Sequence, residues 1–219
     1  VITKIQDLAT KKTRMKIPVL YGIDAIHGAT YTQNSTLFPQ AINMAATWNR
    51  ELMKKSGEIT SLEVRASGIP WNFYPVMDIG RQPLWPRLWE TFGEDVFLAS
   101  QIGKSYIEGA QGNNYGAPDK VATCLKHYVG YGFPINGKDR TPAWISERML
   151  REYFLPTFEE GIKAGAPTIM VNSGEVDGIP VHSDYHLLTE VLRGELKFDG
   201  VVVSDWEDIA RLFTRDKVA

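Results

Sequence analysis

The sequence predicts an α/β domain built on a parallel sheet, with an incomplete (β/α)8 TIM-type barrel as its architecture. Three observations predict it. Short apolar runs alternate with helical patterns along the 219 residues, five strands in all. The last run, Gly200-Val201-Val202-Val203-Ser204-Asp205-Trp206, places three β-branched residues in succession, the composition of a parallel strand buried on both faces. Each run also ends in polar side chains, at the edge where α/β enzymes assemble their sites. A complete barrel takes about 250 residues. Residues 1–219 are therefore expected to form one partial barrel domain, a fragment of a longer protein.

Ile17 to Asp24 reads as the first strand, with Pro18 confined to its start and Asp24 and His27 just beyond its end. Asn49 caps a helix whose face is Leu52, Ile59, Leu62 and Ala66, closed by Gly68 with Pro70 beyond. Asn72 to Ile79 forms the second strand, interrupted by Pro75. The loop Arg81 to Glu90 combines arginines, tryptophans and prolines, a composition suited to a rigid binding wall. A helix from Glu94 to Ala110 repeats Leu98, Ile102 and Tyr106 every four residues.

The third strand, Val121 to Val129, is apolar until Lys126 and His127. Ser146 caps a helix with the stripe Leu150, Phe154, Phe158 and Ile162, kinked at Pro156 and closed by Gly165. Thr168 to Ser173 is the fourth strand. Ser183 opens a helix through Leu187, Leu188, Val191 and Leu192, which leads to the fifth strand and a short helix from Glu207 to Phe213.

A net charge of -2 with both signs interspersed offers no basic stripe for phosphates, which excludes nucleic acid and anionic membrane as partners. Cys124 is the only cysteine, so a disulfide framework and a cysteine-rich metal site are excluded. No apolar run approaches the roughly 20 residues that span a bilayer. Neither a cofactor nor a metal is expected.

The strand ends carry Asp24 with His27, Asp78 with Arg81 and Arg87, Lys126 with His127, Asn172 with Ser173, and Asp205 with Trp206. Each has an ordinary explanation alone. Asp205 could cap the helix after it, Arg87 could pair with Glu90, Lys126 could sit in an ion pair, and either histidine could be a bonded core residue. Together they converge on one mouth. Such a mixture suits a hydroxyl-rich ligand, whose oxygens bond cations and carboxylates while its apolar ring face packs on an aromatic such as Trp206.

Five segments carry a resemblance: Tyr21 to Gly28, Trp85-Pro86-Arg87 to Asp95, Lys126 to Gly132, Asp139 to Trp144, and Gly200 to Trp206. In this order they resemble glycoside hydrolase family 3, in its β-glucosidase branch, over nearly the whole chain. The resemblance implies a retaining exo-β-glycosidase that removes non-reducing terminal β-D-glucosyl units from a β-glucoside or oligosaccharide through a covalent glycosyl-aspartate. It implies Asp205 as nucleophile and Asp24, Arg87, Lys126, His127 and Trp206 as substrate-binding residues. Lys126 and Arg87 are then expected to favour the charged form of Asp205. A retaining enzyme also needs a second carboxyl group about 5 to 5.5 Å from the first, and no residue here matches it. The resemblance places that acid/base on a later α/β sandwich domain, and favours a periplasmic or secreted location.

Two differences stand out. The fourth strand ends Val171-Asn172-Ser173-Gly174-Glu175 where many family members place a tyrosine near the nucleophile, and the loop after His127 lacks the Asp and His arrangement of the β-N-acetylglucosaminidase branch. Two other assignments fit some of the residues. One is a metal-dependent barrel hydrolase with His27, His127, His182 or His186 and Asp205 as ligands. The other is a non-catalytic carbohydrate-binding remnant that keeps the pocket and lacks the acid.

Overall fold

The structure is a computed structural model that describes residues 1–218. Five parallel strands pair in chain order, β1 (Gly22–Ile23), β2 (Trp71–Asn72), β3 (Ala122–Tyr128), β4 (Thr168–Val171) and β7 (Val201–Val203). A separate antiparallel hairpin, β5 (Glu175–Val176) with β6 (Ile179–Pro180), follows β4. The helices are α1 (Ile2–Asp7), α2 (Ala41–Ala46), α3 (Arg50–Ala66), α4 (Val96–Gln111), α5 (Glu147–Met149), α6 (Leu155–Lys163) and α7 (Asp208–Thr214), with wider π-type turns at Leu8–Lys12, Leu150–Phe154 and His186–Glu195. Sequential parallel strands joined through helices form an open, curled sheet, the incomplete barrel expected from the sequence.

The strands are shorter than their apolar runs. Residues 17–21 join no ladder, and Ile17, Val19, Leu20 and Tyr21 are exposed. β1 is the edge of the sheet, so this stretch lacks an outer partner, and Gln6 holds Val19 instead, with Nε2 donating to its carbonyl at 2.7 Å and Oε1 accepting from its amide at 3.0 Å. The second run leaves the ladder after Asn72, ahead of Pro75, and returns only at the bridge between Val76 and Lys126. The fifth strand is parallel as expected but not buried. Val201 is 54% exposed because β7 forms the other edge of the open sheet.

Asn49, Asp95 and Ser146 cap their helices, each side chain accepting the backbone amide three residues on. Ser183 does not open the next helix. Asp184 does, with Oδ1 accepting from Leu187 N at 3.0 Å. The kink expected at Pro156 is a change of pitch, from the wide turns of Leu150–Phe154 into α6, whose first turn tolerates the missing amide of Pro156.

The buried face of α3 corrects the sequence expectation. Leu52 and Leu62 are exposed, and Met53, Ser56, Gly57, Thr60, Ser61 and Val64 are buried. Small residues win this face because α4 approaches α3 at backbone distance. A Cβ on Gly109 would lie 2.0 Å from Lys54 O, and one on Gly57 would lie 2.6 Å from Tyr106 O. Since the obstacle is backbone in both cases, Gly109→Ala forces the helices apart. The expected loss is about 3 kcal/mol, read as a lower urea midpoint at unchanged m-value.

Candidate active site

The carboxyl ends of the strands surround a cavity of ≈ 660 Å³. Asp24 follows β1, Lys126 and His127 come from β3, Asp205 and Trp206 follow β7, and Arg87 enters from the wall of the long loop after β2. All six side chains proposed from the sequence line this one cavity.

Two ion pairs set its polar wall. Lys126 Nζ is 2.6 Å from Asp24 Oδ1, with the ammonium end buried on the apolar sheet and the carboxylate half exposed toward the mouth. Arg87 grips Glu90 with two parallel bonds of 2.8 Å each, from Nε and Nη2. Burial lowers the Arg87 guanidinium, yet the Glu90 fork outweighs burial and holds it above its ordinary value. The ordinary explanations for both cations are thus correct and compatible with a place in the wall. The cation beside Asp205, however, is neither of them.

His127 is fixed from behind by Asp78, which sits at the end of the second apolar run. Asp78 Oδ2 accepts from the His127 amide at 2.9 Å and lies 2.8 Å from Nδ1. Burial pushes Asp78 up to about 7 against the pull of the His127 amide and the Arg87 and Lys126 charges. Burial, together with Arg87, Lys126 and Arg140, drives His127 well below its ordinary value. His127 is therefore neutral, and beside the ionised Asp78 its single N–H lies on Nδ1, donated to Oδ2. Nε2 keeps its lone pair, 3.9 Å from Asp205 Oδ2, where it can accept a hydroxyl proton of a ligand. The edge of Tyr131 braces the ring at 4.6 Å between centroids.

Asp205 is buried at the cavity floor, and its two oxygens differ. Oδ1 accepts from Trp206 N and from Arg140 Nη2 at 3.2 Å. Oδ2 is buried and has no hydrogen-bond partner among the described residues. An unpaired buried carboxylate oxygen costs free energy, and such exceptions concentrate at functional sites. The side chain does not cap α7, whose first residue Asp208 donates only to the Asp205 main-chain carbonyl at 3.3 Å. Trp206 is 74% exposed and offers an apolar face at the cavity lip.

The sequence assignment missed Arg140 as a lining residue, because it lies on the loop between β3 and α5 and at no strand end. The one signal was the Asp139-Arg140-Thr141 motif itself. The histidines proposed as metal ligands do not gather. His27 Nδ1 faces Phe38 O at 3.1 Å, His186 is held on the surface by Glu190 at 2.7 Å, and His182 lies 3.8 Å from Asp208. Only His127 shares the cavity with Asp205. Among the described residues, no helix is long and apolar enough to cross a membrane.

The profile of the glycosyl hydrolase family 3 N-terminal domain matches residues 1–219. The chain belongs to glycosyl hydrolase family 3. It is 53% identical to a lysosomal β-glucosidase of Dictyostelium discoideum over 96% of this chain and 26% of that protein. It is 31% identical to a periplasmic β-glucosidase of Salmonella typhimurium over 100% of this chain and 28% of that protein. The β-glucosidase of Listeria innocua superposes with a TM-score of 0.93 at 34% identity, covering 100% of this chain and 30% of that one. That enzyme is also solved with glucose, and a mutant of it with laminaribiose. This family 3 chain thus spans between a quarter and a third of the length of these relatives.

Proposed function

We propose that the full-length protein containing this chain is a retaining exo-β-glucosidase, and that this chain supplies its nucleophile and its glucosyl-binding wall. The observation that carries this is Asp205 Oδ2, a buried acceptor without a partner at the floor of a cavity lined by hydroxyl-bonding groups. The Dictyostelium and Salmonella relatives are named β-glucosidases, while a relative 37% identical is named a β-xylosidase; the Listeria β-glucosidase is solved with glucose and its mutant with laminaribiose, which supports a β-glucoside as substrate.

The mechanism follows from these groups. Asp24, Lys126, Arg87 and the His127 Nε2 lone pair take the hydroxyls of the terminal glucosyl unit, and Trp206 packs on an apolar sugar face at the lip. This holds the anomeric carbon over Oδ2. Oδ2 attacks it, the bond to the leaving oxygen breaks, and that oxygen receives a proton from a general acid. Water then attacks the same carbon, gives up a proton to the same acid/base, and the Oδ2 bond breaks to restore the carboxylate. Two displacements return the β-configuration.

The acid is assigned to the part of the protein beyond this chain, a C-terminal α/β sandwich domain. Of the other carboxylates that line the cavity, Asp24 and Glu90 are bound to cations and Glu207 is exposed, so the assignment rests on the family resemblance and on the greater length of the relatives. The lysosomal and periplasmic relatives support a location outside the cytosol.

The test is the stereochemistry of the first product. Proton NMR of an aryl β-glucoside digested by the full-length protein should show β-glucose first and α-glucose only after mutarotation. Early α-glucose would exclude the covalent route, and sugar binding without any turnover would favour a carbohydrate-binding remnant.

A further inference from the structure

The cavity rises from its floor at Asp205 to a lip where one polar side chain has no task in the proposed chemistry. Three aromatic residues at this lip are exposed, Tyr31, Trp89 and Trp206, and next to Trp206 stands an exposed carboxylate, Glu207. Every other carboxylate that lines the cavity has a cation: Lys126 for Asp24, Arg87 for Glu90 and Arg140 for Asp205. Among the described residues Glu207 has none, and its side chain makes no capping hydrogen bond although it holds the N-cap position of α7.

The local backbone explains why that carboxylate is left unused. Asp205 and Asp208 are both buried, Asp208 N donates to Asp205 O at 3.3 Å, and Ser173 Oγ donates to Asp208 Oδ1 at 2.8 Å. Between these two anchors the chain turns within Trp206 and Glu207, and both are exposed. Glu207 takes φ +60°, the left-handed region that residues with a Cβ rarely adopt. An N-cap residue ordinarily has an extended backbone and gives its side-chain oxygen to an amide of the first turn; Glu207 does neither. The helix does not need its charge, because Asp208 already supplies an acidic side chain to the first turn. Left-handed residues with a Cβ persist where their flanks over-determine them, and they gather at ligand clamps.

A carboxylate only accepts hydrogen bonds. With no donor from the protein, the donors that fit Glu207 belong to a ligand. A substrate whose terminal glucosyl unit lies on the floor carries its leaving unit out past this lip. We propose that Glu207 is a specificity-determining residue for the leaving unit, where its carboxylate accepts a hydroxyl of a second sugar and turns the site toward neutral, hydroxylated leaving groups. This rests on the placement of the terminal glucosyl unit over Asp205. An apolar leaving group finds the aromatic faces but gives Glu207 no donor, and an anionic one meets a like charge. The substrate class is then a β-linked gluco-oligosaccharide, ahead of aryl glucosides and glucosides with acidic leaving groups.

The experiment measures kcat/KM of the full-length protein on the best cleaved of laminaribiose, cellobiose and gentiobiose, on phenyl β-glucoside and on 4-carboxyphenyl β-glucoside. Comparing each variant with wild type cancels the intrinsic reactivity of the leaving groups. Glu207→Gly places at this φ the one residue that adopts it freely, and it is expected to lower the disaccharide-to-phenyl ratio about tenfold, the scale of one hydrogen bond to a charged group. The carboxyphenyl-to-phenyl ratio should rise about threefold as the like charge is removed. Glu207→Gln keeps an acceptor and loses the charge, so it should give the same rise with a smaller fall. Both ratios within about twofold of wild type in both variants, or a wild type that cleaves phenyl β-glucoside and none of the disaccharides, would overturn the role of Glu207. A wild type that cleaves none of these glucosides would instead overturn the assignment of the protein as a β-glucosidase.

Discussion

Replacing Asp205 with asparagine is expected to lower kcat/KM of the full-length protein on an aryl β-glucoside by about 10⁴-fold, the scale seen when a covalent nucleophile is removed from an otherwise intact site. The amide keeps the shape and the bond to Arg140, but it removes the charge on Oδ2, the oxygen that has no other partner. KM should change far less, because the proposed sugar-binding wall of Asp24, Lys126, Arg87 and His127 is left unchanged. Asp205→Ala gives a second readout. Azide can enter the space left by the carboxylate and attack from the same face, so it should restore turnover and yield α-glucosyl azide. An asparagine variant within tenfold of wild type, or a β-azide product, would remove Asp205 from the mechanism.

The second large effect is on stability. Asp78→Ala leaves the His127 amide and Nδ1 without the oxygen that accepts both, in a site where Asp78 and His127 are buried. Breaking such a buried pair costs about 3 to 5 kcal/mol. The effect should also depend on pH. In the folded wild type the pair takes up one titratable proton as pH falls below about 7, on the Asp78 carboxyl, because burial raises Asp78 to about 7 and drives His127 below its ordinary value so that the imidazole stays neutral. Between the ordinary values of the two groups the unfolded pair carries one proton as well, on the histidine, so the pair contributes no slope in that window.

In Asp78→Ala the folded His127 stays neutral while the unfolded one still takes up a proton. The unfolded state then binds one proton more, and stability falls as pH drops below about 6.5, by up to about 1.4 kcal/mol per unit. Urea unfolding at pH 5, 6 and 7.5 checks this. Parallel pH profiles for variant and wild type would contradict proton uptake by Asp78 beside a neutral His127.

The strand-end rule made most of the site legible. Asp24, Lys126, His127, Asp205 and Trp206 each sit at the end of an apolar run or just after it, and a parallel sheet must deliver all such ends to one side. Caps at Asn49 and Ser146 were legible for an equally local reason, since a cap depends on one side chain and one amide. Arg140 was not, because its place is set by a loop that folds back between two strands, and no periodicity marks it. The buried face of α3 is not legible from its leucines, because Leu52 and Leu62 are exposed. The close approach of α4 demanded glycine and serine there, and a contact between helices leaves its trace in small residues that resemble a polar surface. The strands were overextended in the sequence because prolines and sheet edges cut ladders without changing the apolar composition of the run.

The measurement that bears most directly on the central claim is the mass of the protein after exposure to the 2-fluoro-glucoside with a dinitrophenyl leaving group, which needs little acid assistance. The expected result is an increase of one fluoroglucosyl unit, carried after proteolysis by the peptide containing Asp205 and absent in Asp205→Asn. An unmodified mass in a folded protein that hydrolyses β-glucosides, or an adduct on any other carboxylate, would contradict the assignment of Asp205 Oδ2 as the atom that bonds the sugar.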